Sequence, residues 1–203
     1  FGDAAVLSFN GNKIVTTSGG GMLVTDDESV AQRVRHLSTQ ARENAKHYEH
    51  REVGFNFRLS NVLAAIGRAQ VERLPQMIDS RRSTRQKYRD CFLDVEGVEI
   101  FGGLDADDNC WLSAILIDKD QTGWGPEQLA EHLGRDRIET RPLWKPMHMQ
   151  PLYQNNISYV DGSSAALFAR GITLPSGSSQ TSTEWDRIRT SIEVFLSDQN
   201  RRR

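Results

Sequence analysis

Apolar positions along the chain fall into three textures. Residues 4–9 form an almost unbroken apolar run, Ala4-Ala5-Val6-Leu7-Ser8-Phe9, which predicts a strand buried on both faces. A polar loop over 10–21 separates it from a second predicted strand at 22–25. Asp26 or Asp27 can cap a helix over about 28–37, and the mostly polar residues 38–58 predict irregular structure. Ser60 or Asn61 then opens what reads as the longest helix. Its apolar face is built from Val62, Leu63, Ile66, Ala69, Val71 and Leu74, and Pro75 should kink or end it. Helical periodicity resumes through 77–94.

Beyond Gly97 the elements shorten. Strands are predicted at 111–117, 138–140 and 172–174. Helices are predicted at 126–133, with Pro126 in the first turn, at 165–170 and at 184–196. Alternating helices and strands imply an α/β class. The change of texture divides the chain into residues 1–75, read as the remnant of a larger domain with the start of a linking helix, and residues 76–203, a small C-terminal α/β domain. An apolar strand so close to residue 1 needs neighbours on both sides, so the chain is expected to be the back part of a longer protein.

Composition narrows the function classes. With 25 basic and 27 acidic side chains there is no field to draw nucleic acid or an anionic membrane. Arg201-Arg202-Arg203 reads as a solvated, disordered tail. Cys91 and Cys110 lack metal-ligand or CxxC spacing, a usage that fits a reducing, cytoplasmic setting. No apolar run is long enough to span a membrane. His47-Tyr48-Glu49-His50 offers two histidines and an acid, but in so irregular a segment that no metal site is expected.

The chemistry-bearing stretch is "SFNGNKIVTTSGGGM", Ser8 to Met22. Alone, Lys13 on this loop reads as an ordinary solvated lysine. The surrounding glycines and hydroxyls suggest a phosphate cradle, yet neither GxxxxGK[ST] nor GxGxxG is present. A covalent role remains: a deprotonated lysine forms Schiff bases with carbonyl compounds, and pyridoxal phosphate is the commonest such partner.

That stretch, together with "GFNFRLSNVLAAIGRAQVERL" and "RPLWKPMHMQPLY", resembles the DegT/DnrJ/EryC1/StrS sugar aminotransferases, over nearly the whole chain and over about the second half of a family member. The resemblance implies the C-terminal portion of a fold type I pyridoxal 5'-phosphate enzyme. It matches Lys13 to the lysine that holds the cofactor covalently, Ser8 to a cofactor-phosphate ligand, and Asn56 to an asparagine that reaches the phosphate of the neighbouring subunit in a homodimer. Arg58 is a candidate to neutralise a substrate phosphate, and the resemblance matches Arg141 and His148 to a stretch that lines the family's sugar-nucleotide cleft. On their own residues, Ser8 also reads as a strand-end cap, Asn56 as a turn residue and Arg58 as the partner of an acid near a helix start. The family's usual Gly-Glu-Gly-Gly is Ser18-Gly19-Gly20-Gly21 here, which puts one loop contact in question. Related dehydratases carry histidine at the lysine position, so Lys13 favours amination.

The wording of the motifs is nearest to enzymes of bacillosamine-type and pilin-glycan pathways. This implies glutamate as amino donor and a UDP-linked 4-keto-6-deoxy-N-acetylhexosamine as acceptor. The alternatives are a non-catalytic fragment or dimerising module, or a related pyridoxal-phosphate enzyme acting on another keto sugar. Further cofactor contacts are expected upstream of Phe1, so the 203 residues alone are expected to be inactive.

Overall fold

The computed structural model describes residues 2–202. They divide into two compact units, the first ending at Pro75 and the second beginning at Gln76. In the first unit, β1 (Ala5–Ser8) and β2 (Gly21–Val24) form a two-stranded antiparallel ribbon, with Leu7 opposite Met22. The expectation of a fully buried strand is overturned: Val6 is 79% exposed, and Leu7, Met22 and Val24 also lie open. A lone ribbon has no further described strand to cover its faces.

Helix α1 (Glu28–Ser38) starts where the sequence predicts it, with the Asp27 carboxylate accepting the Ser29 and Val30 N–H groups. Ser60 caps α2 (Asn61–Glu72) through the Leu63 N–H. The predicted apolar face of α2 is mostly exposed, including Val62, Ile66 and Val71, and its buried residue is Gly67. The helix breaks at Arg73, before the proline. Pro75 sits in the first turn of α3 (Leu74–Cys91), where its missing N–H costs no helical bond.

The second unit is a four-stranded antiparallel sheet in the order β3 (Val98–Ile100), β4 (Ser113–Ile117), β6 (Gly171–Leu174), β5 (Arg141–Pro142). Short α4 (Lys119–Thr122), then α5 (Pro126–Arg135), α6 (Ser163–Arg170) and the longest helix, α7 (Ser182–Arg202), complete it. One apolar core joins Tyr88 of α3 and Phe92 just beyond its end, Ile115 and Ile117 of β4, Leu129 and Leu133 of α5, and Ile188, Ile192 and Phe195 of α7. Trp124 packs edge-on against Phe195, and Trp185 against Tyr88.

Two expectations are corrected in this unit, and one of its strands is unexpected. Residues 138–140 form no strand. Arg137 adopts a left-handed φ of 57°, its N–H donates to Gly134 O, and the Ile138 N–H donates to Leu133 O. These are the two bonds of a Schellman helix end, with Ile138 as its buried apolar residue. Strand β3 has only three residues and a weak pattern, and the sequence does not single it out. Residues 201 and 202 continue α7 rather than forming a disordered tail, while Arg203 and Phe1 lie outside the described residues.

Two buried arginines on α3 organise the loops beside the core. Arg81 donates to Trp111 O at 2.6 Å and to Ser178 Oγ at 2.9 Å. Arg85 pairs with the Asp108 carboxylate. Burial pushes that carboxyl up, but the bonds from Arg85 and the Cys110 N–H, with the Arg85 and Arg82 charges, hold it below the ordinary aspartate value. A depressed folded-state value adds stability above the unfolded aspartate range, and this is lost as pH falls through the folded value. In thermal melts from about pH 6 to below about pH 4, Asp108→Asn should therefore be less stable than wild type at the upper end, and the gap should close towards the acid end.

Candidate active site

The lysine loop is built from β1 outward. At the strand end, Ser8 Oγ accepts the Asn10 N–H at 3.4 Å, and Asn10 O accepts the Lys13 N–H at 3.0 Å. These bonds link Ser8 and Lys13 through one turn. A hydroxyl that accepts in this way still carries its own proton to donate. The chain then returns: Thr17 N–H and Thr16 Oγ1 both donate to Phe9 O, and Thr16 Oγ1 accepts the Ser18 N–H. Lys13 ends half-buried at the head of a closed loop.

Helix α2 receives that loop. Thr17 is 1% exposed, and a Cβ on Gly67 would stand 2.8 Å from its Cγ2, so the missing side chain makes room for the threonine methyl. One turn further on, Gln70 Oε1 accepts the Thr16 N–H at 2.9 Å. Gly20, at φ 87°, occupies the left-handed region and leaves space for Leu59, 2.6 Å from where its Cβ would be. Sequence reading counted Thr17 among the polar groups near Lys13 but overlooked Gly67 and Gln70. Thr16 and Gln70 are 54 positions apart, and no local pattern ties them together.

Asn56 and Arg58 belong to the same unit. The Phe55 and Phe57 N–H groups donate to Leu37 O and Ser38 O at the end of α1, and Thr39 bridges to Asn56. Gly54 permits this because a Cβ there would lie 2.2 Å from Ala41 N. Along the extended segment Phe55 and Phe57 stack on one side, centroids 5.0 Å apart, and both are exposed. Side chains alternate along such a segment, so Asn56 is directed to the other side, where it is exposed. Arg58 is exposed, makes no ion pair with a described residue, and borders a depression with Met22, Val34 and Arg35. The acid-partner reading of Arg58 finds no support.

Arg141 and His148 lie in the second unit. Strand β5 pairs with β6, Thr173 Oγ1 donates to Arg141 O at 3.0 Å, and the Leu143 N–H donates to Gly171 O at 3.3 Å. Gly171 makes that approach possible, since a Cβ would fall 2.2 Å from Leu143 Cδ1. The exposed Arg141 guanidinium bonds Glu139, with Nε 2.8 Å from Oε1. His148 is half-buried in a 3-10 turn, Met147–Met149. Trp144 is exposed and leans on Trp111, centroids 5.6 Å apart.

The remaining titratable cluster has local partners. His47 lies 3.0 Å from a Glu49 oxygen, and His50 Nδ1 lies 2.8 Å from Gln40 O. Among the described residues no group of three or more His, Cys, Asp or Glu side chains could hold a metal ion, and no helix is long and apolar enough to cross a membrane. Burial pushes both cysteine thiols above their ordinary value, which disfavours the thiolate.

Comparison with known proteins places these motifs. The profile of the DegT/DnrJ/EryC1/StrS aminotransferase family matches residues 1–193. The Bacillus subtilis protein EpsN, whose name assigns it provisionally to the pyridoxal phosphate-dependent aminotransferases, is 43% identical over 201 residues, covering 97% of this chain and 50% of EpsN. A GDP-perosamine synthase of Escherichia coli O157:H7 is 34% identical, covering 98% of this chain and 53% of that protein. The structure of Helicobacter pylori PseC, an aminotransferase involved in the biosynthesis of pseudoaminic acid, superposes with a TM-score of 0.86 at 23% identity, over 98% of this chain and 54% of PseC. The chain thus spans about half the length of the curated relatives it matches.

Proposed function

Since the chain belongs to the DegT/DnrJ/EryC1/StrS aminotransferase family, whose members are pyridoxal-phosphate-dependent sugar aminotransferases, we propose that the protein of which it is part transfers an amino group to a nucleotide-linked 4-keto-6-deoxy sugar, with glutamate as donor. The observation that carries this reading is Lys13 at the head of a loop fixed to α2 through Thr16 and Thr17. A lysine that must hold and then release a carbonyl compound needs a rigid backbone under a mobile side chain.

The residues present fit the cofactor. An amine, the Ser8 hydroxyl at the strand end and the exposed Asn56 amide are the donor set that an aldehyde and a phosphate require. Lys13 would hold pyridoxal phosphate covalently. Ser8 would donate to the phosphate, and Asn56 would donate to the phosphate bound in a neighbouring subunit of a homodimer. Bound there, the group supplies an aldehyde and a ring that takes up the electron pair left on carbon when a proton departs.

The remaining work falls to this chain's side chains. Lys13 Nζ, freed by the incoming donor amine, takes the proton from the donor's α-carbon. In the second half of the exchange it returns a proton to the sugar carbon that comes to bear the transferred amino group. The donor leaves as a 2-oxo acid. Arg58 in the first unit and Arg141 in the second are separate candidate cations for a nucleotide diphosphate, and His148 lies in the same motif as Arg141. Glu139 holds Arg141 at present, so diphosphate would compete for its donors.

The finer substrate reading is a UDP-linked N-acetylhexosamine. A second reading, a GDP-linked sugar, is favoured by the relative named GDP-perosamine synthase.

Borohydride reduction of the full-length protein with pyridoxal phosphate should leave a pyridoxyl group on the peptide containing Lys13, and Lys13→Ala should abolish both the label and turnover. A label on Lys46 or Lys145 instead would overturn the assignment. Mixing inactive Lys13→Ala and Asn56→Ala subunits should restore part of the activity, because a mixed dimer carries one site with both defects and one with neither; no recovery despite proven exchange would place Asn56 outside the neighbour's site. Ratios of kcat/KM for UDP-, GDP- and dTDP-linked keto sugars, measured with glutamate, decide the nucleotide. The UDP-linked 4-keto sugar is expected to lead, and a higher ratio for the GDP sugar would replace it.

A further inference from the structure

The bonds that shape the lysine loop are nearly all internal to it. Thr16 and Thr17 bond back to Phe9, Ser18 bonds to Thr16, and Lys13 bonds to Asn10, all within residues 9–18. Such bonds keep the loop's form but do not fix where it stands. Among the described contacts, two tie the returning limb of the loop to one face of α2, from positions three residues apart. Gly67 admits the buried Thr17 methyl, and Gln70 Oε1 accepts the Thr16 N–H. The first is a non-directional packing contact. The second is a directional hydrogen bond.

We propose that Gln70 is a positioning residue for Lys13: by accepting the Thr16 N–H it locks the returning limb of the loop to α2 and so sets where the lysine amine can reach. The proposal rests on Lys13 being the cofactor-binding lysine. It makes a chemical demand on one atom. The role needs an acceptor oxygen at the end of a four-atom side chain and has no use for the amide nitrogen. Glutamate supplies that oxygen with the same length, whereas leucine fills similar space without an acceptor. A backbone N–H left unbonded in a half-buried position frees the limb it belongs to.

The test uses full-length protein bearing Gln70→Leu or Gln70→Glu. In cofactor-free protein, amide hydrogen exchange at Thr16 should quicken by about tenfold or more in Gln70→Leu and stay near wild type in Gln70→Glu. With cofactor and saturating substrates, kcat should fall about ten- to a hundredfold in Gln70→Leu, with the KM for the sugar little changed, because the amine is misplaced while the sugar site is not. Gln70→Glu should recover most of that loss. Unchanged kcat in a folded Gln70→Leu, equal damage in both variants, or a change confined to KM would each overturn the proposal. If Gln70→Leu does not fold, Gln70→Glu decides: near-normal exchange and kcat are expected, and loss of either overturns the role. A pyridoxyl label found away from Lys13 would instead sink the reading of the lysine, while the exchange measurement would still report on the clamp.

Discussion

The first unit depends on a side chain that is not there. Gly67 lets a buried threonine methyl press into the flank of α2, and the loop that carries Lys13 can stand where it does only because of that approach. Few residues of this unit are buried: Thr17, Ala41 and Gly67. Apolar burial therefore contributes little to its internal order. Close backbone approach at Gly54 and Gly67, with hydrogen bonds from the returning limb, takes over that task. Such contacts are short-ranged, and the hydrogen bonds among them are directional, so they hold the form of the loop without a large core.

The second unit is ordered by other means. An extended apolar core spans α3, β4, α5, β6 and α7. Around its edge, Arg81 and Arg85 bring charge into a poorly solvated setting, and each is matched there by oxygen. Removing an oxygen from such an arrangement leaves a buried cation without its partner, so these loops have little freedom to drift. Trp111 inherits that rigidity through its carbonyl and supports Trp144 on the surface.

The elements most legible in the sequence were those announced by a local chemical mark. Asp27 and Ser60 are each one of the two caps that the sequence offers for their helices, and Pro126 opens its helix where the sequence places it. Lys13 could be singled out because its neighbours form a motif. Misreadings arose where local pattern and tertiary setting part. Residues 138–140 look like strand because Ile138 is apolar, but the turn before it uses an arginine in the left-handed region where glycine is the usual sign of a helix end. The run at 4–9 looks like a core strand, and α2 looks amphipathic, yet both show apolar side chains to solvent. Gln70 had no local signature at all: an isolated glutamine on a helix is ordinary until the fold brings Thr16 beneath it.

The seat of the 141–149 segment has a consequence for variation. Its backbone is registered by β5–β6 pairing, by Thr173 and by the space that Gly171 leaves for Leu143. None of these anchors uses the side chains of Trp144, Lys145 or Met147, which all lie open. Exposed side chains on an independently held backbone can be exchanged at little cost in stability. Residues 144, 145 and 147 thus form an interchangeable surface on a fixed mount, free to vary among descendants of this chain while position 171 stays closed to any residue larger than glycine.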